Sequence, residues 1–253
     1  RPPFFLYVPY HGVHTPLVEP AERITAQTQT KGDRRIMAAA VEHLDQQIGR
    51  ILDALDRKQL REETLVIIFS DNGGYPNSPG GTYPAPDVPL KNFSSNQPLR
   101  GQKTEVFEGG IRVPALAHWP GHLEPRKVTA PMHAVDWMPT LCRLTGAEYD
   151  QKTGDGRDIW PLLVGKQDAD PQRVFYWRWG RGGRVALRQG DWKLVRHGGP
   201  DSFLLFDLAA DPYEKKDLAA RHPDKYRHLR GLLGQQQARD AQGPAPWLGS
   251  DKP

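Results

Sequence analysis

Two residues with hard oxygen donors, Asp71 and Asn72, stand just beyond the apolar run from Thr64 to Phe69. A carboxylate beside a carboxamide suits Ca²⁺ or Mg²⁺ rather than a soft transition metal, and Gly73-Gly74 lets the backbone turn close to a bound ion. The same four residues also make a good plain turn. His11 and His14 flank Gly12-Val13. Their imidazoles are placed to meet a metal or a substrate, or for one to hydrogen-bond within its loop while the other is solvated. Arg100 and Lys103 set a guanidinium and an ammonium three residues apart as an oxyanion clamp, with a solvated basic stretch as the alternative. The segment from Glu108 to Pro114 reads as a structural turn into a strand, with Glu108 and Arg112 paired. Asn92-Phe93-Ser94 matches a glycosylation acceptor, a pattern that also arises by chance.

The elements around these residues give them a place. Residues 64–69 read as a strand covered on both faces, and open α/β sheets bind ligands beyond the carboxyl ends of their strands, where Asp71 and Asn72 lie. Residues 4–8, Phe-Phe-Leu-Tyr-Val, read as another buried strand, leading into the His11–His14 loop. Between them Ile36, Ala40, Leu44, Ile48, Leu52 and Leu55 recur at helical spacing, with Asp33 as N-cap. Residues 75–98 form a long Pro/Gly/Ser/Asn-rich loop expected to rim a site. A strand over 113–119 and a helix over 137–144, with Asp136 as N-cap and Gly146 past its end, complete this part. Short runs at 174–179, 184–188, 191–196 and 203–207, separated by glycine turns, predict an antiparallel meander followed by a helix over 223–239. Gln242 to Pro253 is expected to be a surface tail. The fold class is α/β, divided into 1–170 and a smaller antiparallel-sheet subdomain, 171–253.

Composition narrows the function classes. Of 253 residues, 38% are hydrophobic and 25% charged, as in ordinary globular proteins. The net charge of +4 comes from interspersed charges, so nucleic acid is not an expected partner, whereas an anionic substrate is compatible. No run approaches the roughly 18 apolar residues of a membrane span, so no membrane insertion is expected. The single cysteine, Cys142, excludes an intrachain disulfide and a thiolate metal cluster.

Together these segments resemble the sulfatase family of the alkaline-phosphatase superfamily. The resemblance is carried in order by Phe4 through Pro16, Asp33 through Gly49, Thr64 through Gly74, Leu99 through Lys103, Phe107 through Ala115, Gly190 through Leu194 and Leu205 through Leu208. It implies a sandwich with a mainly parallel central sheet whose N-terminal strands are missing, plus a small C-terminal antiparallel sheet and helix. It also implies sulfate-ester hydrolysis, with sulfated glycans as the closest substrate flavour and a periplasmic, extracellular or lysosomal location. Residue by residue, it makes Asp71 and Asn72 calcium ligands and makes His14 and Lys103 contacts to the sulfate, placed to stabilise the leaving oxygen. His11 and Arg100 rank as further substrate contacts.

The departures are as informative. The family nucleophile is a formylglycine made from the first residue of a Cys/Ser-x-Pro-x-Arg motif, and this sequence holds none: Cys142 is followed by Arg-Leu-Thr, and Asn96-Gln97-Pro98-Leu99-Arg100 begins with Asn. The Asp-Asp pair that supplies further calcium ligands is also missing. The expectation is the C-terminal portion of a sulfatase, inactive alone and completed by a missing N-terminal half. Alternatives are a phosphodiesterase or phosphonate hydrolase of the same superfamily, and a sulfatase-like binding fragment without catalysis.

Overall fold

Helical spacing of small and aliphatic residues produces the longest element. In the computed structural model, which describes residues 2–151, 154–180 and 183–240, α1 (Ala21–Ala26) is followed by α2 (Arg34–Arg57). The α2 face carrying Ile36, Met37 and Ala40 packs with Leu17, Leu90 and Phe93. Asp33 does not cap this helix through its side chain; its carboxylate accepts instead from the backbone N–H of Lys91 at 2.7 Å, tying the helix start to the following long loop. That loop is more ordered than its composition predicts. Ser78 and Leu90 exchange two 2.9 Å backbone bonds, the Asp87 carboxylate accepts from the N–H groups of Thr82 and Tyr83, and Leu90 and Phe93 are buried.

These elements belong to one of two compact units, Arg1–Val66 with Gly74–Gln97; the other joins Ile67–Gly73 to Pro98–Pro253. The units therefore divide the chain elsewhere than at residue 170. Residues 4–8 are not a strand: no described strand pairs with them, and Phe5 and Tyr7 are 79% and 75% exposed. An apolar run becomes a buried strand only when neighbours supply both its ladder and its cover, and among the described residues neither is present.

β1 (Val66–Phe69), which belongs to the second unit from Ile67 on, pairs with β2 (Ala115–His118), within the stretches expected to be strands. With this one partner among the described residues, β1 is half-buried rather than covered on both faces. Between them lies the four-residue turn α3 (Glu108–Ile111). A short 3-10 turn (Ala134–Asp136) leads into α4 (Trp137–Thr145), which ends at left-handed Gly146 as anticipated. Asp136 does not cap α4 with its side chain. Its fully buried carboxylate accepts from the N–H groups of His133 and Arg157 and from the Arg173 guanidinium at 3.0 and 2.5 Å. A short α5 (Trp160–Leu163) follows.

The meander is β3 (Val174–Trp179), β4 (Arg184–Gln189), β5 (Trp192–Arg196) and β6 (Phe203–Asp207), antiparallel in sequential order, with α6 (Pro223–Asp240) after it. Strand alternation sends residues to two cores. Val185, Leu187, Leu194 and Leu205 pack with Leu229 and Leu233 of α6, while Ala186, Val195 and Phe206 pack with Val106 and Phe107. Burying each of the larger side chains stabilises by about 1.5–3 kcal/mol. Covered on both faces, this sheet supports the segment around α3.

Candidate functional site

Where β1 ends, the chain turns through Ser70 to Gly73. The Ser70 hydroxyl donates to the Asn72 carbonyl at 3.0 Å, the Ser70 N–H bonds Pro114, and the Gly73 N–H bonds the Gly110 carbonyl at 3.0 Å. A glycine is required at 73: a Cβ there would lie 1.8 Å from the Gly109 oxygen. Asp71 is exposed and Asn72 half-buried. Their donor chemistry fits a hard cation, but two side chains supply only part of the six to eight oxygens that Ca²⁺ takes. Among the described residues, no group of three His, Cys, Asp or Glu side chains is placed to hold a metal.

The Arg100–Lys103 stretch meets the same turn from its other side. The Gly109 N–H donates to the Arg100 carbonyl at 2.6 Å, and Gly101 takes a left-handed φ of 86°. The Gln102 N–H donates to the Glu105 carboxylate at 3.2 Å, and the Gln102 carbonyl accepts from the Glu105 N–H at 2.9 Å. A Cβ on Gly110 would stand 2.5 Å from the Gln102 oxygen, so the backbones touch with no room for side chains. Lys103 is half-buried. The Arg100 guanidinium donates to the Glu214 carbonyl at 3.0 Å and lies 4.1 Å from the centre of the Phe107 ring. Thus α3 is the joint at which the Asp71–Asn72 turn and the Arg100–Lys103 stretch are bonded together.

Behind α3 lies an ion cluster that sequence reasoning missed. Lys193, fully buried in β5, holds the carboxylates of Glu108 and Glu214, each at 2.8 Å. The expected Glu108–Arg112 pair is therefore corrected: Glu108 is 3% exposed, and its carboxylate binds the buried ammonium, which would otherwise be an uncompensated interior charge. Glu214 also accepts from the Glu108 N–H at 2.7 Å. Burial pushes the Glu214 carboxyl above its usual range, and Lys193 opposes that shift. One sequence signal was available: a lysine between the apolar residues Trp192 and Leu194 of a strand needs a carboxylate partner when that strand is buried.

The two histidines stand in the other unit. Their ring centres are 5.4 Å apart, His11 exposed and His14 half-buried, with Tyr83 edge-on to His14 at 5.7 Å. The His14 N–H closes a turn on the His11 carbonyl at 2.9 Å. Its ring Nδ1 sits 2.6 Å from the Thr15 carbonyl. A carbonyl only accepts, so Nδ1 carries the proton. The structure thus brings the histidines together in one unit, and Asp71, Asn72, Arg100 and Lys103 together around α3 in the other.

Comparison with known proteins identifies the family: the chain belongs to the sulfatase family, whose model, described as Sulfatase, matches residues 1–147. A model of the C-terminal region of N-sulphoglucosamine sulphohydrolase matches residues 102–239. Among curated relatives, steryl-sulfatase of Mus musculus is 32% identical over 90% of this chain and 40% of its own length. The N-acetylgalactosamine-6-O-sulfatase of Bacteroides thetaiotaomicron is 29% identical over 91% of this chain and 46% of its own. The crystal structure of Ps i-CgsB in complex with k-i-k-neocarrahexaose superposes with a TM-score of 0.81 at 28% identity, covering 92% of this chain and 50% of that one. The chain therefore shares part of the fold of the solved structures it matches and spans less than half the length of these curated relatives.

Proposed function

We propose that this chain contributes part of the active site of a sulfuric ester hydrolase acting on sulfated glycans. The observation that carries the reading is the joint at α3, where the Gly73 and Gly109 N–H bonds fasten hard oxygen donors and a cationic stretch to one turn. Family membership gives those residue types a use. The N-acetylgalactosamine-6-O-sulfatase and the complex of Ps i-CgsB with a neocarrahexaose support a sugar as the group that bears the ester.

In this reading Asp71 and Asn72 would hold Ca²⁺ with their side-chain oxygens. When bound, the cation supplies charge neutralisation at the sulfuryl oxygens. Lys103 binds the sulfate as a point cation, and its ammonium is strongest where negative charge builds up as the ester bond breaks. His14, whose Nδ1 is engaged by the Thr15 carbonyl, is the group that would hold a proton near the leaving oxygen. His11 and Arg100 are further substrate contacts; for Arg100 the guanidinium edge not bonded to Glu214 is the one to use. The formylglycine nucleophile would come from outside these 253 residues, as would the remaining calcium ligands and strands completing a mainly parallel sheet. The chain alone is then inactive, and a periplasmic, extracellular or lysosomal setting suits a glycan substrate.

The test is turnover of an aryl sulfate and of a sulfated disaccharide by the full protein with Lys103→Ala, His14→Ala and Asp71→Asn. The two cationic-site variants are expected to lose at least about a hundredfold in kcat, the usual scale for a group stabilising developing charge. Asp71→Asn is expected to raise the calcium concentration needed for half-maximal activity. Wild-type kcat in Lys103→Ala, or turnover by the isolated chain, would refute the assignment.

A further inference from the structure

Glu214 is 113 residues from α3's Gly101 neighbour along the chain, yet three of its atoms serve the joint. Its carboxylate accepts from the Glu108 N–H at 2.7 Å and pairs with Lys193 at 2.8 Å, and its carbonyl accepts from Arg100 at 3.0 Å. It is fully buried and holds a left-handed φ of 56°, a conformation that non-glycine residues seldom adopt and that costs free energy unless surroundings enforce it. That backbone turn lets one residue offer its carbonyl to Arg100 while its side chain reaches Glu108. From Glu108 the contacts continue directly: the Gly109 N–H holds the Arg100 carbonyl and the Gly110 carbonyl holds the Gly73 N–H.

We infer that Glu214 is a positioning residue, which clamps α3 and Arg100 together and so fixes the Asp71–Asn72 turn relative to the Arg100–Lys103 stretch. It touches neither substrate nor metal in this scheme and acts through α3. The functional half of the inference rests on the reading of those two segments as parts of the sulfate site. The clamp itself does not.

Two variants separate the parts. Glu214→Gly keeps the carbonyl for Arg100, tolerates the left-handed backbone and removes the carboxylate. Glu214→Gln keeps an acceptor for the Glu108 N–H and loses the charge. Peptide-resolved hydrogen exchange of the full protein is read over 70–74 and 105–111, with the β3–β4 ladder as the control for global opening. Glu214→Gly should speed exchange in both site segments by about tenfold, the scale of one lost hydrogen bond to a charged acceptor, with the ladder unchanged; Glu214→Gln should lie between it and wild type. Unchanged exchange in the site segments, or a uniform rise that includes the ladder, overturns the clamp. Should Glu214→Gly fail to fold, the Gln variant decides by the same comparison. Sulfate-ester kinetics then divide the inference from its premise. A fall in kcat accompanying local loosening supports both, whereas loosened segments with wild-type kcat and KM retain the clamp and overturn the assignment of those segments to the site.

Discussion

Gly109→Ala sets two physical effects against each other. Helix propensity favours alanine over glycine by up to about 1 kcal/mol, and Gly109 lies within helical α3 without a positive φ, so propensity alone predicts stabilisation. The surroundings predict the opposite. A Cβ at 109 would lie 2.5 Å from the Gly101 oxygen and 2.6 Å from the Arg100 oxygen, both backbone atoms that cannot rotate aside. Overpacking of this kind costs about 1–3 kcal/mol. Moving the Arg100 carbonyl also breaks its bond from the Gly109 N–H, another 0.5–1.5 kcal/mol or so. The steric terms win, and a net destabilisation of about 0.5–3.5 kcal/mol is expected. Gly231→Ala is the matched control: it sits in α6 with nothing within 4 Å of a built Cβ, so only propensity acts, and stabilisation of about 0.5–1 kcal/mol is expected. Urea denaturation followed by tryptophan fluorescence measures both. A Gly109→Ala protein as stable as wild type, or stabilised like Gly231→Ala, would refute the close-approach argument.

Other perturbations test the same framework elsewhere. Asp136→Ala strands the nearly buried Arg173 charge and should cost about 3–5 kcal/mol in urea unfolding; adding Arg173→Met should recover part of that loss, and an additive double variant would contradict the pairing. His133 is expected to make the fold acid-sensitive. Burial holds its imidazole below the usual 6.5 against the pull of Asp136, and its Nδ1 accepts from the Val135 N–H, so the native ring stays neutral where the unfolded chain takes up a proton. Stability from this group is present above pH 6.5 and is lost as pH falls through 6.5 toward the lower folded value. The melting temperature of His133→Asn should therefore fall less between pH 7.5 and pH 5 than that of wild type; parallel slopes would contradict the burial argument.

What sequence reading reached and what it missed differ in kind. Local signals carried the meander, α4 with Gly146, and α6, because glycine turns and residue periodicity act within a few positions. Residues 4–8 failed on the same logic, since composition reports a taste for burial and not the presence of a covering neighbour. Asp71, Asn72, Arg100 and Lys103 stood out by type and spacing, but their joint at α3 did not. Glu108, Lys193 and Glu214 come from distant stretches, and only a folded chain shows one ammonium serving two carboxylates. Asp33 and Asp136 looked like helix caps by position, and tertiary partners claimed both carboxylates instead.

The span of the Arg100–Glu214 bond, 114 residues, also sets an order of events during synthesis. The β3–β6 meander pairs only sequence neighbours, so its loops close cheaply and it can form as soon as it emerges. Arg100 and Glu108, made far earlier, must wait for Lys193 and then Glu214 before their final contacts exist. Completion of the Arg100–Lys103 stretch is thus timed by the arrival of residue 214, and a chain interrupted ahead of it would carry every proposed ligand in this unit without the clasp that sets their spacing.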